Sequence, residues 1–148
     1  MSAPATPAKP QRPEYRNINA FKDLTTYRMP LAALVSILHR VSGLIMFLLL
    51  PFIIWMFDTS VSSEFSFGRF KSVFNDGAGW LPGWLIKLVM LLLLWSFLHH
   101  FFAGLRHLWS DVDHGAHVKA TGRRTAAATL VISIVLLIVL GAKLFGLY

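Results

Sequence analysis

Three long apolar stretches, running roughly Leu31 to Phe57, Trp84 to Trp109 and Thr125 to Leu147, constrain this chain more than anything else in it. At about 1.5 Å per helical residue the first reaches ~40 Å, enough to cross ~30 Å of hydrocarbon with some tilt. Charged residues make up only 14% of the 148-residue chain, against about 25% in an ordinary soluble domain. The sequence therefore predicts an all-α membrane protein with three transmembrane helices, and no separate soluble catalytic domain. Zero cysteines exclude disulfides, thiol catalysis and any iron–sulfur cluster ligated by this chain alone. No glycine-rich phosphate loop follows a plausible strand, which argues against a nucleotide site. Pro30 is suited to opening the first span, and Pro51 is expected to kink it.

Residues 1–30 read as a flexible tail and lead-in, and 31–148 as the membrane anchor with spans at about 31–57, 84–109 and 125–147. The tail lacks the pattern of a secretory signal and fits a mitochondrial presequence poorly, so a bacterial inner membrane is the expected location. Cations sit on the tail (Lys9, Arg12, Arg16, Lys22, Arg28) and after the second span (Lys119, Arg123, Arg124). The first loop carries only Arg69 and Lys71, beside Asp58, Glu64 and Asp76. By the positive-inside rule the N-terminus is cytoplasmic, and the net charge of +7 is membrane topology rather than nucleic-acid binding. Trp55, Trp80, Trp84 and Trp109 fall near span ends, as an aromatic belt would.

Polar groups inside hydrocarbon need a partner or a cavity. The first span carries Ser36, His39, Arg40 and Gly43 on one helical face. The second carries Ser96, His100, Ala103, Gly104, His107 and Asp111 on or beside one face, with His99 pointing about 100° away. Counted from the cytoplasmic ends, the two sets lie at similar depth and can line one pocket. An imidazole with small residues a turn away suits haem, with Ala103 and Gly104 leaving room for the macrocycle. A hydroxyl and a guanidinium suit a quinone, whose oxygens gain negative charge on reduction. Plainer readings stand beside these: Ser36 bonding back to its own helix, Arg40 snorkelling, His100 as an interhelical donor, His99 as a competing ligand, and Asp111 as an interfacial acid.

Ser36-Ile-Leu-His39-Arg40-Val-Ser42-Gly43 resembles the first-helix motif of the cytochrome b subunit of succinate dehydrogenase, the larger anchor of respiratory complex II. His100-Phe-Phe-Ala-Gly104-Leu-Arg106-His107, with Asp111 following, is similar to that family's second-helix haem motif. The resemblance covers about residues 28–148. It implies that His100 is an axial ligand to the iron of haem b, that Ser36 and Arg40 contribute to a ubiquinone pocket, and that His39, Arg40 and His107 lie near the haem propionates. Asp111 is implied in a proton path. It further implies a heteromeric haem-binding bundle. In that bundle a second small membrane-anchor subunit supplies the other axial histidine, and an iron–sulfur subunit and a flavoprotein subunit dock on the cytoplasmic face. Departures from the family pattern are the Arg12-Pro13 pair, which stands further upstream, Ser110 in place of a bulkier residue, and Asp113 in place of a small one.

The expected function is thus a membrane-anchor subunit that helps pass electrons from succinate to ubiquinone, with no complete active site in this chain alone. Competing expectations are a quinol:fumarate reductase anchor, a haem held within the chain by His39 and His100, and a non-redox assembly subunit.

Overall fold

The computed structural model describes residues 19–113 and 119–148, so the expectations for the tail before Asn19 lie outside the described residues. The described chain forms six helices: α1 (Ala20–Thr26), α2 (Leu31–Leu48), α3 (Leu50–Val61), α4 (Glu64–Asn75), α5 (Gly83–Val112) and α6 (Lys119–Leu144). The only β pairing among these residues is an isolated bridge between Ala78 and Leu81. Three helices among them are long and apolar enough to cross a membrane: Leu31–Leu48, Gly83–Val112 and Ala120–Leu144.

Local chemistry accounts for the boundaries. Pro30 caps α2 in extended geometry, where its missing N–H costs nothing. The first apolar stretch divides at Leu49 (φ −88°, ψ 4°). Pro51 has no N–H to give the Phe47 carbonyl, and its ring crowds the preceding turn. The kink expected at Pro51 takes this form, and α3 carries the apolar run onward to Val61. The second span is longer than the sequence indicates, and α6 starts early enough to absorb Arg123 and Arg124 into its first turns.

Two helices were not anticipated. Asn19 caps α1, its side chain accepting from the N–H groups of Phe21 and Lys22. Ser63 opens α4 through a reciprocal pair: Ser66 N–H donates to Ser63 Oγ at 3.1 Å and Ser63 N–H donates to Ser66 Oγ at 2.9 Å. Phe67, Phe70 and Phe74 then form a stripe on α4, with Phe70 facing Trp55 of α3 at 6.5 Å between ring centroids. The end of α4 abuts the start of α5 so closely that a Cβ on Gly83 would meet the carbonyl oxygens of Phe74 and Asn75 at 2.7 Å.

α5 packs against both α2 and α6, which also meet each other, giving a three-helix bundle with α4 laid across α3 and the start of α5. The polarity of this bundle is inverted relative to a soluble one. Its interior holds Ser42, Ser96, His99, Thr129 and Ser133 together with the small Ala103 and Ala126. Its outer surface carries Leu44, Phe47, Phe97, Phe101, Val131 and Ile138. Lipid offers apolar side chains no reason to hide, so helices approach through small residues while large aliphatics face outward. Buried hydroxyls are satisfied locally: those of Ser96, Thr129 and Ser133 each donate to the carbonyl four residues back.

Candidate functional site

α2 and α5 together build the site. Ser36, His39, Arg40 and Gly43 fall on successive turns of α2, while His100, Gly104 and His107 do so on the facing α5. The rings of His39 and His100 stack with centroids 4.1 Å apart at 22°, and His107 tilts against His39 at 5.3 Å. The equal depth inferred by counting residues is therefore realised as contact between the two helices.

The strongest geometric constraint falls on His100. Its Nδ1 lies 3.0 Å from the carbonyl oxygen of His39 and 3.3 Å from Ser42 Oγ. A carbonyl only accepts, so Nδ1 carries the proton and donates, and Nε2 is left as a bare lone pair. The Ser42 hydroxyl donates to the same carbonyl at 2.8 Å. Ser42 is fully buried, so this knot is shielded from competing water. An imidazole whose one nitrogen is tied to a backbone carbonyl while the other is open is the arrangement metal-ligating histidines adopt. Gly43 makes the approach possible, since a Cβ there would stand 3.0 Å from His100 Cε1 and 3.3 Å from Nδ1.

His99 occupies a different environment. It is fully buried and stacked on Trp95 at 5.6 Å, and its ring lies against the backbone of Val35 on α2 without a hydrogen bond of good geometry. Of the two adjacent histidines, His99 is thus enclosed by its own bundle, whereas His100 is half-buried. The stacking of His39 on His100 also bears on a haem held within this chain. The two rings touch face to face, so they would have to part before they could hold one iron between them.

Other candidates divide clearly. Ser36 is half-buried and, unlike Ser42 or Ser96, its hydroxyl makes no hydrogen bond within the described residues. The back-bonded reading of Ser36 is thus absent, and its hydroxyl is available as a donor. Arg40 is exposed and has neither a hydrogen bond nor an ion pair among those residues, an arrangement that calls for an anionic or acceptor partner from outside the chain. Ala103, expected to leave room for a macrocycle, is instead packed in the core with Val35 and Ala126. Gly104 faces His39 Nε2, which a Cβ would meet at 3.7 Å, an ordinary contact. Asp111 is exposed, without hydrogen bond or ion pair among the described residues, and is not brought into the histidine cluster. Arg106 turns away to α6, its Nε donating to Thr125 Oγ1 at 3.2 Å.

Sequence reasoning missed the part played by Ser42 and Gly43. Their spacing of three and four residues from His39 was the available signal, because it puts both beside the carbonyl that His39 presents. A haem fits this donor set: one open imidazole nitrogen, a cradle without a Cβ, and cationic or proton-bearing groups at Arg40, His39 and His107. No group of three His, Cys, Asp or Glu side chains among the described residues converges as a site for a bare metal ion.

Comparison with known proteins places these features in a family. Residues 9–140 match the model of the succinate dehydrogenase/fumarate reductase transmembrane subunit. The chain is 33% identical over 119 residues to the succinate dehydrogenase cytochrome b556 subunit of Coxiella burnetii, covering 80% of this chain and 90% of that protein. It is 29% identical over 120 residues to the subunit of the same name from Paracoccus denitrificans, covering 78% and 86%. The succinate dehydrogenase cytochrome b560 subunit of Reclinomonas americana is 33% identical over 99 residues, 65% of each chain.

Proposed function

Because the chain belongs to the family of succinate dehydrogenase/fumarate reductase transmembrane subunits, we infer that it is the membrane-anchor cytochrome b subunit of a succinate:ubiquinone oxidoreductase. The observation that carries the reading is the His100 ring, oriented by the His39 carbonyl and Ser42 so that Nε2 is open. In this role His100 Nε2 would hold the iron of haem b. The Nδ1–H···O=C bond fixes the ring's tautomer and orientation, leaving Nε2 to face a ligand. The face-to-face stacking of His39 on His100 favours another small membrane-anchor subunit as the source of the second histidine that would hold the iron. Arg40, His39 and His107 form a polar flank that would hold the haem propionates. Haem, when bound, would supply a one-electron redox centre.

Ser36 and Arg40 lie one turn apart on α2, so hydroxyl and guanidinium face the same side. Ser36 donates to a ubiquinone carbonyl oxygen, and Arg40 offsets the negative charge that builds there on reduction. Both donors are unspent among the described residues, so their hydrogen bonds to substrate displace none made there. Asp111, exposed beyond His107, is assigned to proton supply on the aqueous side. Succinate oxidation belongs to a flavoprotein subunit, and electrons arrive through an iron–sulfur subunit docked at the cytoplasmic end, where the N-terminus lies. The membrane is a bacterial inner membrane.

The test is a reduced-minus-oxidised optical spectrum of the purified complex with His100→Leu beside the unaltered protein. Loss of the b-type signal with all subunits retained is the expected result. An unchanged spectrum would move the ligand to another histidine or another chain.

A further inference from the structure

At the far end of the bundle from the histidine cluster, α3, α4, α5 and the end of α6 enclose a half-open cavity of about 250 Å³. Its floor is apolar, formed by Met56, Phe70, Phe74 and Met90, while Lys71 of α4 and Lys87 of α5 converge on it from separate helices. Lys87 is 13 residues from His100 along one helix, or ~20 Å, so this cavity is not part of the haem and quinone face.

Several observations define what it accepts. No carboxylate lines it, and neither lysine makes an ion pair among the described residues. The Lys71 ammonium is steadied over the Phe67 ring, 4.5 Å from its centroid, which orders the charge without neutralising it. Trp80 and Trp84 are exposed at this end of the bundle, marking headgroup depth. The volume is small for an enclosed cofactor, whose pockets run ~300–1,000 Å³, and the open side lets an occupant extend into the bilayer. Two unneutralised cations above an apolar floor at the interface complement a phosphate joined to acyl chains.

We propose that this cavity is a binding site for an anionic phospholipid. The headgroup phosphate sits between Lys71 and Lys87, and the upper part of one acyl chain lies on the methionine and phenylalanine floor. The site is independent of haem and quinone binding.

The test is native mass spectrometry of the detergent-solubilised complex titrated with phosphatidylglycerol or phosphatidylcholine. Phosphatidylglycerol is expected to bind more tightly. The double variant Lys71→Gln/Lys87→Gln should weaken it about thirtyfold, roughly fivefold per lysine, while Lys71→Arg/Lys87→Arg keeps it. Met90→Trp, which fills the floor and leaves both charges, should displace the lipid as well, and Arg69→Gln, on α4 but outside the cavity, should do nothing. Equal binding of the two lipids overturns the proposal, as does a preference that survives loss of both lysines. Full displacement by inorganic phosphate, displacement by a short-chain ubiquinone, or crosslinking from position 71 to a partner helix would each assign the cavity to another occupant.

Discussion

Replacing Gly43 with alanine should loosen haem without dismantling the bundle. The added Cβ would stand 3.0 Å from His100 Cε1, where carbon atoms prefer about 3.5–4.0 Å. The imidazole must therefore retreat from α2 by about 0.5 Å. Its Nδ1 lies 3.0 Å from the His39 carbonyl oxygen, so the same retreat carries that hydrogen bond to about 3.5 Å, past the useful N–H···O range. Losing such an outer partner typically costs 10–100-fold in metal-site affinity or activity, and about tenfold weaker haem retention is expected. The assay is haem per complex after a graded detergent wash, with a reductive titration of the b-type signal. Gly141→Ala is the control. Its Cβ would also meet a close neighbour, Leu91 Cδ1 at 2.8 Å, but that atom is the end of a flexible side chain remote from any imidazole. If Gly43→Ala retains haem as Gly141→Ala does, with an unchanged titration, the role given to the His39 carbonyl is wrong.

Arg40→Ala should lower ubiquinone reduction at least tenfold in steady-state assays while the complex assembles with all its subunits; wild-type quinone kinetics would remove Arg40 from the substrate site. His99→Leu should keep the b-type spectrum and change the thermal midpoint little, because neither buried ring nitrogen makes a hydrogen bond of good geometry and the contact with the Val35 backbone is weak. A lost spectrum with normal assembly would instead make His99 the ligand. Gly83→Ala should lower the melting temperature of the complex by an amount equivalent to about 1–3 kcal/mol, since the atoms it meets at 2.7 Å are backbone carbonyls that cannot turn aside. An unaltered melt would mean that α4 is not held against α5 as described.

The three spans were legible because apolar runs in hydrocarbon need no tertiary partner to declare themselves. The pairing of His39 with His100 was legible for a related reason: helical rise converts residue count into depth, and depth is shared by whatever spans the same bilayer. Choosing between His99 and His100 was harder. They differ by one step of about 100°, and which of them is enclosed depends on the sides from which α2 and α6 pack, information the α5 sequence does not carry. The same limit hid Ala103, whose small size suits a ligand pocket and a tight helix crossing equally well. Helix α4 escaped notice because its phenylalanines are interleaved with Glu64, Arg69 and Lys71, so it reads as polar loop until the Ser63–Ser66 cap and the Phe67/Phe70/Phe74 stripe are taken together. Ser36 ran the other way: residue type favoured a hydroxyl spent on its own helix, and the structure leaves it unbonded.

The acceptor that orients the His100 ring is a main-chain atom, and this separates two kinds of inheritance at position 39. Its side chain can drift, altering the polar flank of the site, while its carbonyl stays in place for as long as α2 stays helical. Damage to that hydrogen bond arrives through positions 42 and 43, where a lost hydroxyl or an added methyl acts on the geometry directly, while a change at 39 reaches the ring only through the lost stack. A library randomised at 39, 42 and 43 should therefore yield haem-bearing clones with many side chains at the first position and few at the other two. In genetic terms, the residue that supplies the bond is a tolerant locus, and the residues beside it are the constrained ones.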